Sequence, residues 1–294
     1  MKKVICFDIG GTAVKYGIIS EGKILEESKF PTEPSRGAAN LLARMEKIIE
    51  EKKLVHNLCG IAISTAGIVD TERGAIIYAL PKITGYTGTD LKAYFAKNSS
   101  LACEVENDVN CAGLAEQSYG SAKGSKLTVC IAVGSGIGGA VLLDGKILHG
   151  AGNCAGEVGF LHLKGGSLEE CASVQALINR VASLKNMAAE ELDGEKIFAL
   201  AKAGDADAKQ AIAEIAAFLG EGIADIACVL NPETVVLGGG IMNQSEYLQP
   251  LIEKALQKYL LPVIYEKLKL KFAAFGNSAG LVGAYENFRQ RQLV

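Results

Sequence analysis

Hydrophobic and polar positions change their period along this chain, and the changes mark out its elements. Residues 4–9 are an apolar, β-rich run stopped by Gly10-Gly11; residues 15–20 return, and Glu21-Gly22 opens a hairpin into residues 23–29. The spacing then lengthens. Leu41, Leu42, Met45, Ile48 and Ile49 fall on one face of a helix predicted over residues 38–53. Strands are predicted at residues 58–63 and 103–106, the second running into a helix over residues 110–119. The second half reads as more helical, at residues 195–202 and over the long run 206–230. A strand at residues 234–237 ends in Gly238-Gly239-Gly240 ahead of a helix at 247–260, and a last strand at 269–275 leads to a helix over 278–289. Strands alternating with helices predict α/β layers led by antiparallel hairpins.

The opening pattern recurs. A shift of 123 positions without a gap lays Gly11-Thr12 on Gly134-Ser135, and Gly17-Ile18-Ile19 on Ala140-Val141-Leu142. The same shift lays Glu21-Gly22-Lys23-Ile24-Leu25 on Asp144-Gly145-Lys146-Ile147-Leu148. This period is far too long for a solenoid, so it predicts two similar lobes, each presenting a glycine turn.

Composition narrows the field of partners. With 294 residues, 49% hydrophobic and 21% charged, the chain can bury a core large enough for two lobes. A net charge of -3 offers no broad basic surface for nucleic acid or an anionic membrane. The eight cysteines include no C-x-x-C pair and several sit in apolar runs, which predicts reduced core thiols rather than a disulfide framework. The N-terminal MKKVICFDIGG reaches Asp8 too soon for a signal peptide, and no run approaches the roughly 20 apolar residues of a membrane span. The expectation is a cytoplasmic protein.

Five groups carry candidate chemistry. In Asp8-Ile9-Gly10-Gly11-Thr12 a strand ends in a carboxylate and two glycines, whose bare amides can cradle a phosphate while Thr12 adds a hydroxyl. Asp8 would repel a phosphate directly, so its expected role is to hold Mg²⁺ through water. Gly134, Ser135, Gly136 and Gly138 form a second glycine-rich turn, followed by a returning strand and not by the helix that a dinucleotide site needs. Gly238, Gly239 and Gly240, at a strand end, suit a flat face approached by an adenine or ribose. Asn107 and Asp108 sit where a strand hands over to a helix. Either one caps the helix, or Asp108 is a general base with Asn107 orienting an acceptor hydroxyl; the glycine turns elsewhere favour the second reading. Glu157 and Glu169 lie in glycine-flanked segments suited to accepting hydrogen bonds from paired hydroxyls, whereas Glu170 reads as a solvated loop acid. His56, His149 and His162 are scattered and read as structural.

The runs DIGGTAVKYGI, GIAISTAGIVD, VENDVNCAGLAE, VGSGIGGAVLLDGKILHGAG, AGEVGF and VVLGGGI resemble the ROK family of sugar kinases and repressors, in family order across essentially the whole chain. The resemblance implies an α/β, two-lobed actin-like ATPase (ribonuclease H-like) fold, with one lobe from residues 1–118 plus 277–294 and the other from 119–276. It implies ATP and a hexose in the cleft between lobes, and a homodimer. It matches Asp108 to the catalytic base, and Gly67, Asn107, Glu157 and Glu169 to hexose-binding positions. The chain departs from the family pattern at Phe160, where a His is usual, and in LHLKGGSLEE, which lacks the cysteines of the family's zinc site; no zinc is expected. The members it most resembles are the zinc-less β-glucoside kinases, which phosphorylate the 6-OH of cellobiose and related sugars. Their C-terminal GN-x-AGL-x-GA is matched from Gly276 to Ala284. A glucokinase or N-acetylmannosamine kinase is the alternative within the family. A non-catalytic sugar sensor, or a repressor with a DNA-binding segment ahead of the first strand, is the alternative of a different functional class.

Overall fold

The computed structural model describes residues 2–292, which form two compact units. In the first, β1 (Lys3–Ile9), β2 (Ala13–Ser20) and β3 (Lys23–Pro31) make an antiparallel meander. After α1 (Gly37–Lys53) come β4 (Leu58–Thr65), the small hairpin β5 (Ile68–Asp70) and β6 (Ala75–Tyr78), α2 (Leu91–Ser99), β7 (Ala102–Asn107) and α3 (Asp108–Ser118). β4 and β7 add in parallel, giving the order β3-β2-β1-β4-β7. β1 and β4 are buried along nearly their whole length, as parallel strands covered on both faces must be. The helical face read from sequence is the buried one: Leu41, Leu42, Met45 and Ile49 of α1 join Phe7, Ile61 and Ile63 in the core.

In the second unit β8 (Leu127–Val133) and β9 (Ile137–Leu143) lead the sheet, while the two-residue β10 (Lys146–Ile147) falls in a stretch that belongs to the first unit. The chain continues through β11 (His162–Leu163), β12 (Gly166–Ser167), α4 (Leu168–Ala172), α5 (Val174–Lys185), α6 (Gly194–Lys202) and α7 (Ala206–Leu230). β13 (Thr234–Gly238), α8 (Ser245–Tyr259), α9 (Pro262–Tyr265) and β14 (Lys269–Phe272) complete it. The order β9-β8-β13-β14 repeats the β2-β1-β4-β7 of the first sheet, with β9 antiparallel to β8 and β13 and β14 added in parallel. The predicted loop around Glu169 is instead helical. Ser167 and Glu170 make a reciprocal capping box at the start of α4, which removes Glu170 from the free loop acids.

The chain then returns to the first unit as α10 (Ala279–Gln292). Its glycines let it lie close: a Cβ on Gly283 would stand 1.7 Å from the Cys111 carbonyl oxygen of α3, and one on Gly60 of β4 would meet the Phe288 ring at 1.9 Å. The glycines of the AGLVGA run therefore have a packing reason. Among the described residues the first unit comprises 2–119, Gly145–Ala155 and 277–292, the second Gly120–Asp144 and Gly156–Gly276. The boundary read from sequence needs correcting at Tyr119 and at residues 145–155. The Tyr119 hydroxyl donates to Glu286 of α10 at 2.7 Å, and the Gln290 amide to the Gly145 carbonyl at 3.0 Å, which ties both to the first unit. Cys6, Cys103, Cys111 and Cys130 are buried and all eight thiols are free, while Cys154 and Cys228 are exposed. Among the described residues no helix is long and apolar enough to cross a membrane.

The strand registers refine the repeat. Ile9 pairs with Val14 around a four-residue connection, whereas Val133 pairs with Ile137 around three residues, Gly134 to Gly136. The gap-free match therefore holds for the second strand and its turn, and the first strand is offset by one. In register, Asp8 corresponds to Ala132, and its cross-strand neighbours Lys15 and Ser64 correspond to Gly138 and Gly238.

Candidate active site

In the first unit one row of paired positions runs across four strands: Lys15 on β2, Asp8 on β1, Ser64 on β4 and Glu106 on β7. The Ser64 hydroxyl donates to Asp8 Oδ1 at 2.7 Å, and the Lys15 ammonium lies 3.8 Å from Asp8 Oδ2. Lys15 also donates to the Asn277 carbonyl at 2.6 Å, just ahead of α10. A Cβ on Gly280 of α10 would come within 2.5 Å of the Asp8 carboxylate, so only glycine leaves the acid its place. Burial raises the Asp8 carboxyl above its ordinary range, opposed by Ser64 and Lys15.

The row ends at the β7–α3 junction. Asn107 is the N-cap of α3, its Oδ1 accepting from the backbone N–H groups of Val109 at 2.9 Å and Asn110 at 3.1 Å. Its Nδ2 donates to the Gly67 carbonyl and to Asp108 Oδ1, both at 3.0 Å. Asn107 is thus the cap, and Asp108 is the first residue of α3, its Oδ1 accepting from Asn107 Nδ2 and from its neighbour Val109 N–H. Burial, then the charge of Asp8, pushes the Asp108 carboxyl up to about 6, against hydrogen bonds from Val109 and Asn107 that lower it. Buried Tyr86 hydrogen-bonds Thr65 through its hydroxyl at 2.6 Å. Gly67 has φ 104°, and a Cβ there would lie 2.6 Å from the Tyr78 carbonyl oxygen.

Beside this junction the Gly10-Gly11-Thr12 turn is open. Gly11 and Thr12 are exposed, while the turn is braced from below by Gly10 N–H to Ala13 O (3.2 Å), Thr32 Oγ1 to Gly10 O (2.7 Å) and Thr32 N–H to Thr12 O (3.0 Å). The Lys82 side chain passes over it, its Cδ 3.8 Å from where a Gly11 Cβ would stand. A fixed turn with free amides and a lysine above it can accept an anion.

The second unit gathers the other glycines. Gly134 N–H bonds to Gly136 O at 2.8 Å, and Val174 N–H at the start of α5 bonds to Gly134 O at 2.9 Å. Gly239 has φ 107°, and a Cβ there would lie 2.0 Å from the Val133 carbonyl oxygen, so the two glycine turns abut. Gly240 opens onto free space. Gly138 lies apart from the turn: it is a β9 residue paired with Ala132, which in turn pairs with Gly238. Glu169 supports the turn from α4, its Oε2 accepting the Ile137 N–H at 2.8 Å and filling the space of a Gly136 side chain. Burial and the nearby charge of Glu169 raise the Glu157 carboxyl, so these two acids face a common region of this unit.

Sequence reasoning missed Lys15, Ser64, Lys82 and Gly280; His149, read as structural, has its Nε2 2.8 Å from Glu106 Oε2. Among the described residues no three His, Cys, Asp or Glu side chains could hold a metal ion. Asp8 offers a carboxylate to a cation accompanying a phosphate, with the Lys15 ammonium 3.8 Å from it.

A model described as the ROK family matches residues 4–291, and the chain belongs to that family. It is 31% identical over 302 residues to the beta-glucoside kinase of Klebsiella pneumoniae, covering 98% of this chain and 96% of that one. It is 30% identical over 305 residues to the glucokinase of Halalkalibacterium halodurans, covering 94% and 92%. Among solved structures it is similar to a ROK family glucokinase from Streptomyces griseus in complex with glucose and AMPPNP. That likeness has 27% identity and a TM-score of 0.82, covering 98% of this chain and 99% of that one. The doubled sheet is that of the actin-like ATPases.

Proposed function

We propose that this protein transfers the γ-phosphoryl group of ATP to the 6-hydroxyl of a sugar, with a β-glucoside such as cellobiose as acceptor. The observation that carries the reading is Asp108, a carboxylate with a pKa raised to about 6 beside an open anion-binding turn. A base with that pKa is ionised at neutral pH yet binds a proton more tightly than an ordinary aspartate. Asp108 takes the proton of the sugar hydroxyl as its oxygen bonds to the γ-phosphorus; the bond to the β–γ bridging oxygen breaks and ADP leaves. On the turn that the Gly10 N–H closes, Gly11 and Thr12 present amides and a hydroxyl to the phosphates. Gly134, Ser135, Gly136 and Gly238 to Gly240 receive the rest of the nucleotide. Asn107 and Gly67, with Glu157 and Glu169, accept from and orient sugar hydroxyls. Mg²⁺ carried with ATP supplies charge neutralisation of the phosphates, and Asp8, whose Oδ2 faces Lys15 at 3.8 Å, would hold it through water.

Two observations favour a β-glucoside. The chain is similar to the Klebsiella enzyme, and Phe160 is 73% exposed, an apolar wall available to an aglycone. Glucose is the second reading, favoured by the likeness to the Halalkalibacterium glucokinase. Coupled ADP release with cellobiose, aryl β-glucosides, glucose and N-acetylmannosamine decides. No release with any sugar sinks the kinase reading and leaves a sensor; faster turnover of glucose than of any β-glucoside sinks the acceptor. Phe160→His is expected to lower the β-glucoside preference over glucose, and an unchanged ratio would count against the wall.

A further inference from the structure

Three N–H groups converge on Glu106, which is 1% exposed, and the transfer step leaves one of them unused. Its Oε1 accepts from the Asn107 backbone N–H at 2.8 Å and from Asn110 Nδ2 at 2.9 Å. Both donors belong to the β7–α3 junction that carries Asp108. The third donor comes from elsewhere in the chain: His149 Nε2, 2.8 Å from Glu106 Oε2. With a carboxylate already accepting two N–H groups, Nε2 is the ring nitrogen that carries the proton. His149 is itself fastened by its carbonyl, which accepts the Ala155 N–H at 3.1 Å.

We infer that His149 is a positioning residue for the Asp108 base, acting through Glu106 and Asn107. The inference rests on the reading of Asp108 as the base. Without the imidazole, Glu106 Oε2 is a buried carboxylate oxygen with no donor, a state proteins avoid by moving the side chain or protonating it. Either response loosens the grip of Oε1 on Asn107 N–H and Asn110. Asn107 both caps α3 and donates to Asp108 Oδ1, so its displacement is a displacement of the base. The 26% exposure of the His149 side chain lets it be replaced without opening a core cavity.

The test compares His149→Ala, His149→Gln and His149→Asn. Glutamine can bring an amide N–H to the place of Nε2, and asparagine falls short of it. His149→Ala is expected to lose roughly 10- to 100-fold in kcat, the scale of a misplaced catalytic group, with KM for ATP within about twofold. His149→Gln is expected to recover most of that loss, and His149→Asn little of it. In the double variant with Glu106→Gln the loss from His149→Ala should disappear, because the acceptor it serves has changed. Wild-type kcat in His149→Ala, or equal kcat in the Gln and Asn variants, overturns the inference. Hydrogen exchange supplies a readout that needs no turnover: amides of residues 107–110 should exchange more than about tenfold faster in His149→Ala. Unchanged exchange there overturns the inference even if the wild-type protein phosphorylates nothing, in which case the proposed function fails separately. Should His149→Ala not fold, the Gln and Asn variants decide by the same two readouts.

Discussion

Replacing Asp108 by Asn is expected to abolish most turnover while making the protein more stable. The gap between the ordinary 3.8 and the raised value of about 6 measures what burying the ionised carboxylate costs. At about 1.4 kcal/mol per pH unit the cost is about 3 kcal/mol above pH 6, and partial solvent access trims it to about 2. The sign follows from proton binding: between about pH 4 and 6 the native state holds this proton more tightly than the unfolded chain. Stability therefore falls as pH rises through that window, and the deficit is fully present at pH 8. Asparagine keeps the Oδ1 that accepts from Val109 and Asn107, carries no charge, and fits the same space. Asp108→Asn should thus melt about 4–8 °C above wild type at pH 8, with roughly half that gain at pH 5. In the coupled ADP assay kcat should fall by about 10²- to 10⁴-fold, the range for loss of a general base, with sugar affinity retained. A melting point equal to or below wild type at pH 8, or a gain that does not shrink at pH 5, would refute the reasoning about the buried charge. Near-normal turnover would refute the assignment of the base.

In the wild-type enzyme kcat/KM should fall about tenfold per pH unit below about pH 6, because only ionised Asp108 can take the proton; a profile flat down to pH 4.5 would contradict it. Gly280→Ala puts a Cβ 2.5 Å from the Asp8 carboxylate, so α10 or Asp8 must move. We expect about 1–3 kcal/mol of destabilisation in urea unfolding together with at least tenfold lower kcat, and a variant matching wild type in both would disprove the close contact. Gly239→Ala meets both a positive φ and the Val133 carbonyl at 2.0 Å, so KM for ATP should rise more than KM for sugar; equal rises would dissociate this turn from the nucleotide.

The parts of the site that were legible in the sequence are those whose chemistry is local. Asn107 and Asp108 could be read because capping and the strand-to-helix handover involve neighbours in the chain, and the glycine turns because each closes within a few residues. Ser64, Lys15 and Gly280 were not legible. What makes Ser64 a partner of Asp8 is the parallel register of β1 on β4, and a slip of one residue would turn its hydroxyl to the other face. Gly280 meets Asp8 only because α10 returns to the first unit after the whole second unit has been built. His149 is hidden for the same reason, its partner lying 43 positions earlier. One missed element did leave a signal: Ser167-Leu168-Glu169-Glu170 is the S-x-x-E pattern of a capping box, and it marked the start of α4.

The one-residue difference between the two leading hairpins bears on how a duplicated sheet can do two jobs. In register, the row Lys15, Asp8, Ser64 of the first unit becomes Gly138, Ala132, Gly238 in the second. The first row carries an acid, a base and a hydroxyl, and its longer connection leaves Gly11 and Thr12 exposed ahead of them. The second row carries nothing beyond a methyl group. A polyanion with a flat ring needs both kinds of surface: charges that manage phosphates and a cation at one, and a strand row of bare backbone at the other. On the proposed function, then, the repeat explains why two glycine turns exist, and the divergence of the adjoining row explains why only the first row carries an acid and a base.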